Sequence, residues 1–287
     1  MTRERTQDVH EDEVHDHDRG LSFDMSTLMT RRRALQLLAI GGLTTVVGCG
    51  SSSYGGSSST TASASGAGST ASTADSTAAA TAEIPEETGG PYPADGSNGV
   101  NVLNESGIVR SDITSSFGSA SGTAAGVPLA IALTILDVSD GGTPLKGAAV
   151  YLWHCDRDGN YSLYSPAVAS ENYLRGVQES DADGRVAFAS IYPAAYSGRW
   201  PHIHFEVYPS IGEATAAGTK LVTSQIALPE DACRLVYASD GYEQSVQNLA
   251  QTSLATDNVF SDGYSTQLGT VSGSVADGMT VTLNVGV

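Results

Sequence analysis

Hydrophobic alternation with a period of two constrains this chain more than any other feature. Residues 128–138, PLAIALTILDV, put Leu129, Ile131, Leu133 and Ile135 on one side of an extended segment, because successive strand side chains point to opposite faces. Ala148 to Cys155, Arg185 to Ile191, the stretch starting at His202, Leu221 to Leu228 and Met279 to Val287 read as further strands. Gly141-Gly142-Thr143-Pro144 and Asp183-Gly184 turn the chain between them. Helical periodicity is weak, with one short helix expected over residues 230 to 238. Many short strands with Gly and Pro turns predict an all-β fold, a β-sandwich with irregular loops and little helix.

Composition divides the 287 residues into three parts. Ser, Thr, Ala and Gly dominate residues 50–84, the composition of a flexible tether. Residues 85–287 are the foldable part, long enough for one core of ordinary size. Before the tether, residues 30–49 read TRRRALQLLAIGGLTTVVGC. The apolar run after Arg31, Arg32 and Arg33 has about 14 residues, short of the roughly 20 that span a bilayer. Paired arginines before a weakly apolar, Gly-containing run resemble a twin-arginine export signal. Val46-Val47-Gly48-Cys49 resembles a lipobox, in which Cys49 would carry the lipid. Residues 1–49 are therefore expected to be an export signal, and the protein to be secreted or held at the cell surface through Cys49 alone. Met1, Met25 and Met29 are all candidate starts.

The chain carries 14 Lys and Arg against 32 Asp and Glu, a net charge of −18. So acidic a surface repels phosphate backbones, which argues against a nucleic-acid partner. Two Asp-x-Asp-Gly elements, Asp156 to Gly159 and Asp181 to Gly184, lack the spacing and closing glutamate of a calcium loop, so both are read as turns.

Six histidines occur, three of them (His10, His15, His17) in the leader. Of the rest, His202 and His204 stand two apart within Arg199-Trp200-Pro201-His202-Ile203-His204-Phe205. On a strand they share one face, about 7 Å apart by the usual rise, while Ile203, Phe205 and Val207 share the other. Two imidazoles on a rigid strand are a base for a metal site. No cysteine pair or carboxylate stands at ligand spacing nearby to complete a zinc site. Tyr161 follows the strand ending at Cys155, and Tyr196 lies six positions before His202. Two phenolates with two imidazoles suit a hard trivalent ion such as Fe(III). Most tyrosines of β domains simply pack, so spacing alone leaves both readings open.

An ordered set of motifs resembles the intradiol ring-cleaving dioxygenases, and most of all their exported, twin-arginine branch. The set comprises Gly89 to Pro93, Val150-Tyr151-Leu152-Trp153, Asp158-Gly159-Asn160-Tyr161, Asp183-Gly184, Tyr192 to Tyr196, Arg199 to Phe205 and Thr223-Ser224-Gln225. The resemblance implies a prealbumin-like β-sandwich and a mononuclear non-haem Fe(III) centre. Tyr161 and His204 would be its equatorial ligands, Tyr196 and His202 its axial pair. Arg199 would lie beside a catechol-type substrate cleaved with O2, Gln225 would match the family's active-site glutamine, and Tyr196 would also take a substrate proton. Two departures bear on the pocket wall: His154 stands where a glutamine is common, and the interval from Tyr196 to His202 is short.

Two other classes compete with this reading. One is a surface-anchored β-sandwich binding module that has lost catalysis; the other is a zinc hydrolase. Besides Cys49 the chain holds Cys155 and Cys233, and an exported protein with two such cysteines is expected to pair them. That bond would close a loop of about 80 residues, worth about 4 kcal/mol in the chain-entropy model.

Overall fold

The structure, a computed structural model, describes residues 82–216 and 218–287. The expected export signal, the lipobox and nearly all of the tether lie outside the described residues. Among those described, no helix is long and apolar enough to cross a membrane.

Nine strands follow in order: β1 (Pro128–Asp137), β2 (Thr143–Pro144), β3 (Ala149–Trp153), β4 (Arg175–Glu179), β5 (Arg185–Ile191), β6 (His202–Tyr208), β7 (Val222–Ala227), β8 (Thr270–Ser274) and β9 (Gly278–Gly286). Among the described residues three short α-helices join them: α1 (Ile211–Thr215), α2 (Glu230–Tyr237) and α3 (Glu243–Leu249). The first sheet runs β2-β1-β9-β8, with β5 also paired to β1. In it β1 and β9 are parallel, with Leu133 opposite Leu283. The second sheet is antiparallel throughout, in the order β4-β3-β6-β7.

The alternation that predicts the strands also decides how the sheets meet. Leu129, Ile131 and Leu133 of β1, Phe188 of β5 and Val281 of β9 belong to one apolar cluster with Val150, Leu152, Ile203, Phe205 and Ile226 of the second sheet. Fully burying each such side chain contributes about 1.5–3 kcal/mol. This is the expected two-sheet β architecture with little helix. Both Asp-x-Asp-Gly elements are turns, in which Asp156 accepts from the N–H groups of Asp158 and Asn160, and Asp181 from those of Asp183 and Arg185.

The outward faces of the two sheets differ. On β1 and β5 burial alternates with exposure, whereas β3, β6 and β7 are buried at every position. A strap, residues 83–96, closes over the second sheet. Glu87 donates its N–H to the Thr223 carbonyl, Thr223 returns its N–H to the Glu86 carboxylate, and the Pro93 carbonyl accepts from Tyr151 and Arg175.

The expected disulfide is absent: Cys155 and Cys233 are both free and buried. They belong to different apolar clusters, Cys233 between the sheets and Cys155 on the outward side of the second sheet. Each thiol has a local partner, the Ala194 carbonyl for Cys155 and the Tyr192 hydroxyl for Cys233. Strands β4 and β8 and helices α1 and α3 have no counterpart among the predicted elements, and Thr143–Pro144, read as part of a turn, pairs with β1 as β2. Arg-Gly-Val-Gln-Glu of β4 holds one aliphatic residue, and it is strand only because β3 supplies the pairing.

Candidate metal centre

The outward face of the second sheet carries the polar cluster. Register places Trp153 of β3 and Gln225 of β7 on either side of His204. The Trp153 indole lies flat on the His204 ring, centroids 4.9 Å apart and planes at 5°, and Tyr151 stacks behind Trp153. From the other side the strap presents Gly90, whose φ of +69° is easy only for glycine. A Cβ there would come within 3.4 Å of the His204 ring. The two imidazoles do not keep the 7 Å separation expected from strand rise. Their rings turn toward each other, with centroids 4.7 Å apart and the Nε2 atoms at 3.1 Å.

Tyr161 and Tyr196 arrive on loops. The Asp156 turn, with Gly159 at φ +87°, leads directly into Tyr161. Arg175 then grips the loop, donating to the hydroxyl and carbonyl of Ser162. The Tyr196 loop is held by α3, where Ser245 accepts from the Ala195 N–H and Asn248 donates to the Ala195 carbonyl. These supports bring the phenols together, with Tyr161 Oη 3.5 Å from Tyr196 Oη and Tyr196 Oη 3.2 Å from His202 Nε2. Tyr161 is buried; Tyr196 is only partly so.

Four donor atoms thus form a chain with spacings of 3.1, 3.2 and 3.5 Å. Two ligands each about 2.0–2.2 Å from one ion and 90–120° apart lie about 2.8–3.8 Å from each other, so each neighbouring pair in this chain is spaced as two adjacent ligands of one ion. The protonation states suit ligands as well. His202 Nδ1 faces the Trp200 carbonyl and must carry the proton, which leaves the Nε2 lone pair turned into the cluster. Burial holds both imidazoles well below their usual pKa, and the neighbouring Arg199 lowers them further. Burial, then the proximity of Tyr196, pushes Tyr161 well above the ordinary phenol range. Without a cation it stays protonated, so a strong Lewis acid is what would ionise it. Among the described residues no group of three or more His, Cys, Asp or Glu could hold a metal, so the zinc-hydrolase donor set is not built here.

Arg199 and Gln225 both join this cluster. The Arg199 guanidinium donates through Nη2 to Gln225 Oε1 at 2.7 Å, and its Nη1 stands 3.5 Å from His202 Nε2. Gln225 Nε2 donates to the Thr88 carbonyl of the strap. His154 is buried. Both of its ring nitrogens are engaged, Nδ1 by the Cys155 carbonyl and Nε2 by the Ser190 hydroxyl.

Sequence reading missed three groups that shape the cluster. Arg175 ties the Tyr161 loop to the strap, Trp153 orients His204, and Asp257 makes an ion pair with Arg199 at 2.9 Å. Trp153 lies on a strand the alternation predicts, in register with His204, whereas Arg175 opens β4, which the alternation does not mark. Nothing in the sequence around Asp257 marks it.

A family model described as Dioxygenase matches residues 109–264, a span that includes all the residues of the cluster but not the strap. A chlorocatechol 1,2-dioxygenase from Rhodococcus opacus is 46% identical over 55 residues, 19% of this chain and 21% of the relative. A catechol 1,2-dioxygenase from Acinetobacter lwoffii is 32% identical over 108 residues, 31% of this chain and 36% of the relative. The chain thus spans about a fifth to about a third of the length of the curated relatives it matches. An intradiol ring-cleavage dioxygenase from Tetranychus urticae has a similar structure, with a TM-score of 0.56, 24% identity, and coverage of 71% of this chain and 94% of that one. That likeness is one of fold.

Proposed function

The chain belongs to the intradiol dioxygenase family, and from that premise we propose that it is an Fe(III) enzyme cleaving the ring of catechol-type aromatics. Both atoms of O2 enter the product, a muconate-type diacid. One observation carries the reading: Tyr161 Oη, Tyr196 Oη, His202 Nε2 and His204 Nε2 converge at 3.1–3.5 Å on the buried face of one sheet.

Those four side chains would hold the iron, two through phenol oxygens and two through Nε2 atoms. Bound Fe(III) would supply Lewis acidity toward the two diol oxygens, and so ready the ring for O2. The rest falls to the protein. Tyr196, the less buried phenol, would take one diol proton onto its Oη. Arg199 keeps its charge at any working pH and offers Nη1 to negative charge building on the ring. Gln225 holds Arg199 on one side, and Trp153 with the strap keeps water from His204. The alternative of a binding module without catalysis gains nothing from so specific a convergence of donors.

The export signal, the tether and lipidation at Cys49 belong to the same proposal, in which a domain loaded with iron in the cytoplasm is carried folded across the membrane. Replacing Arg31, Arg32 and Arg33 by Lys should leave active enzyme inside the cell, and normal secretion would refute that route. For the activity, purified protein loaded with Fe(III) should be wine-red from tyrosinate-to-iron charge transfer and should consume O2 with catechol, protocatechuate, hydroxyquinol or a chlorocatechol. A colourless protein with no oxygen uptake would overturn the reading.

A further inference from the structure

Arg199 has five N–H donors in a rigid plane, so its chemistry depends on which edge the protein occupies. Asp257, fully buried and 58 residues further along the chain, takes the Nε edge: Nε donates to Oδ2 at 2.9 Å, and Nη2 lies 3.5 Å from Oδ1. Gln225 takes the remaining side through Nη2 at 2.7 Å. The amide of Gln225 is itself fixed, because its Nε2 donates to the Thr88 carbonyl and Oε1 must face the guanidinium. One edge, Nη1, is left turned toward the donor cluster, 3.5 Å from His202 Nε2.

The carboxylate is anchored independently of the arginine. Oδ2 also accepts the Trp200 N–H at 2.7 Å, and Oδ1 accepts the N–H groups of Val259 and Phe260 at 2.9 and 3.2 Å. Five N–H groups therefore converge on two oxygens, and Asp257 is a fixed post, not a mobile counter-ion. It also supplies the negative charge that a buried guanidinium requires. Without it, Arg199 would be drawn toward the nearest acceptors, the phenols and His202 Nε2, and would block the cluster it now faces.

We infer that Asp257 is a positioning residue which aims Nη1 of Arg199 at the place where a bound diol would gather negative charge. This rests on the dioxygenase reading. It also predicts that the contribution of Asp257 to turnover passes through Arg199 and not through the metal.

The test uses full-length protein loaded with Fe(III). Asp257→Asn is close in shape and keeps an oxygen for the Trp200 N–H. Its NH2 then meets the Val259 and Phe260 N–H groups, a local cost in stability, but the folded variant should retain full iron content and the same resting visible spectrum. Without O2, its Kd for catechol should change by less than about 3-fold, while kcat should fall about 10²–10³-fold, the usual cost of losing an aligned charge-stabilising donor. Arg199→Gln should show a similar loss, and Asp257→Asn added to it should cost less than about 2-fold more. Should Asp257→Asn alone fail to fold for want of a counter-ion, the Arg199→Gln/Asp257→Asn double variant removes both charges. It is then compared with Arg199→Gln for kcat, iron content and spectrum. Loss of iron or a shifted resting band in the Asp257→Asn protein, or in the double variant relative to Arg199→Gln, overturns the inference, as does an equal fall of kcat with and without Arg199. A wild-type protein that is colourless and inactive with iron overturns the dioxygenase reading and the inference together. A red, active wild type with additive variants overturns the inference alone.

Discussion

The two outward faces of this sandwich teach different lessons about one sequence pattern. On the first sheet β5 alternates exposed Arg185, Ala187 and Ala189 with buried Val186 and Phe188, so the polar or small positions meet water. On the second sheet β6 alternates just as regularly, His202, His204 and Glu206 against Ile203, Phe205 and Val207, yet every position is buried. The difference is the strap and the two tyrosine loops, which cover one face only. Alternation therefore reports which residues share a side, and not which side is wet. Covering a polar face has a cost unless each group finds a partner. Most do, but Trp153 Nε1 and His204 Nδ1 have none among the described residues.

Breaking that contrast most severely means changing neighbouring residues on opposite faces of β6. His204→Ala should abolish iron binding and colour, with turnover lost by far more than the roughly 10–100-fold in metal affinity that loss of a mere supporting group costs. Ile203→Ala, one residue away, should retain iron and colour while losing about 2–5 kcal/mol of stability as a core cavity opens. Metal content and denaturant midpoints on the two variants separate the roles. If both variants lose iron and stability alike, the two faces are not functionally distinct.

Tyr196→Phe comes next. Removing the exchangeable phenol should leave iron in place, shift the visible absorption and lower turnover about 10²–10⁴-fold, the usual range for a positioned acid–base group. Unchanged turnover would show that Tyr196 takes no proton.

A smaller effect sharpens the comparison at the boundary between the sheets. Burial brings the His154 pKa down to about 4, with the Cys155 carbonyl partly opposing the shift. The unfolded chain, with a pKa of about 6.5 at this residue, binds a proton between those limits that the folded chain refuses. The contribution of neutral His154 is thus present above pH about 6.5 and lost as pH falls toward about 4, by at most about 3 kcal/mol. His154→Gln should flatten that window relative to wild type in urea titrations at pH 7, 5.5 and 4. Parallel curves would mean that His154 does not remain neutral. The smallest change is expected on the wet face of the first sheet, where Ala187→Ser should move stability by no more than about 0.5 kcal/mol, as read from the same titrations.

Much of the strand framework was legible because strand periodicity is local. The ranges read for β1, β3, β5, β7 and β9 and for α2 fall within a residue or two of those observed, and β6 begins at His202 as read. Elements with few apolar residues, β4, β8 and α3, were not legible, since pairing and packing partners far along the chain make them what they are. The donor cluster divides the same way. His202 and His204 on one face follow from backbone geometry, whereas Tyr161 and Tyr196 were nominated by resemblance to a family and not by any local rule. The expected disulfide failed because two cysteines 78 apart in sequence carry no information about distance in space.

By itself the sequence determined an all-β chain and one strand bearing two imidazoles on the side opposite its apolar stripe, because φ/ψ preference and side-chain alternation act over a few residues. Only the tertiary structure decided that this side is buried, that the imidazole rings meet at 3.1 Å instead of standing about 7 Å apart, and that Asp257 aims Arg199. Those outcomes depend on loops and a strap held by hydrogen bonds between residues far apart in the chain, such as Thr88 and Gln225, 137 positions apart, and no local pattern encodes such pairings.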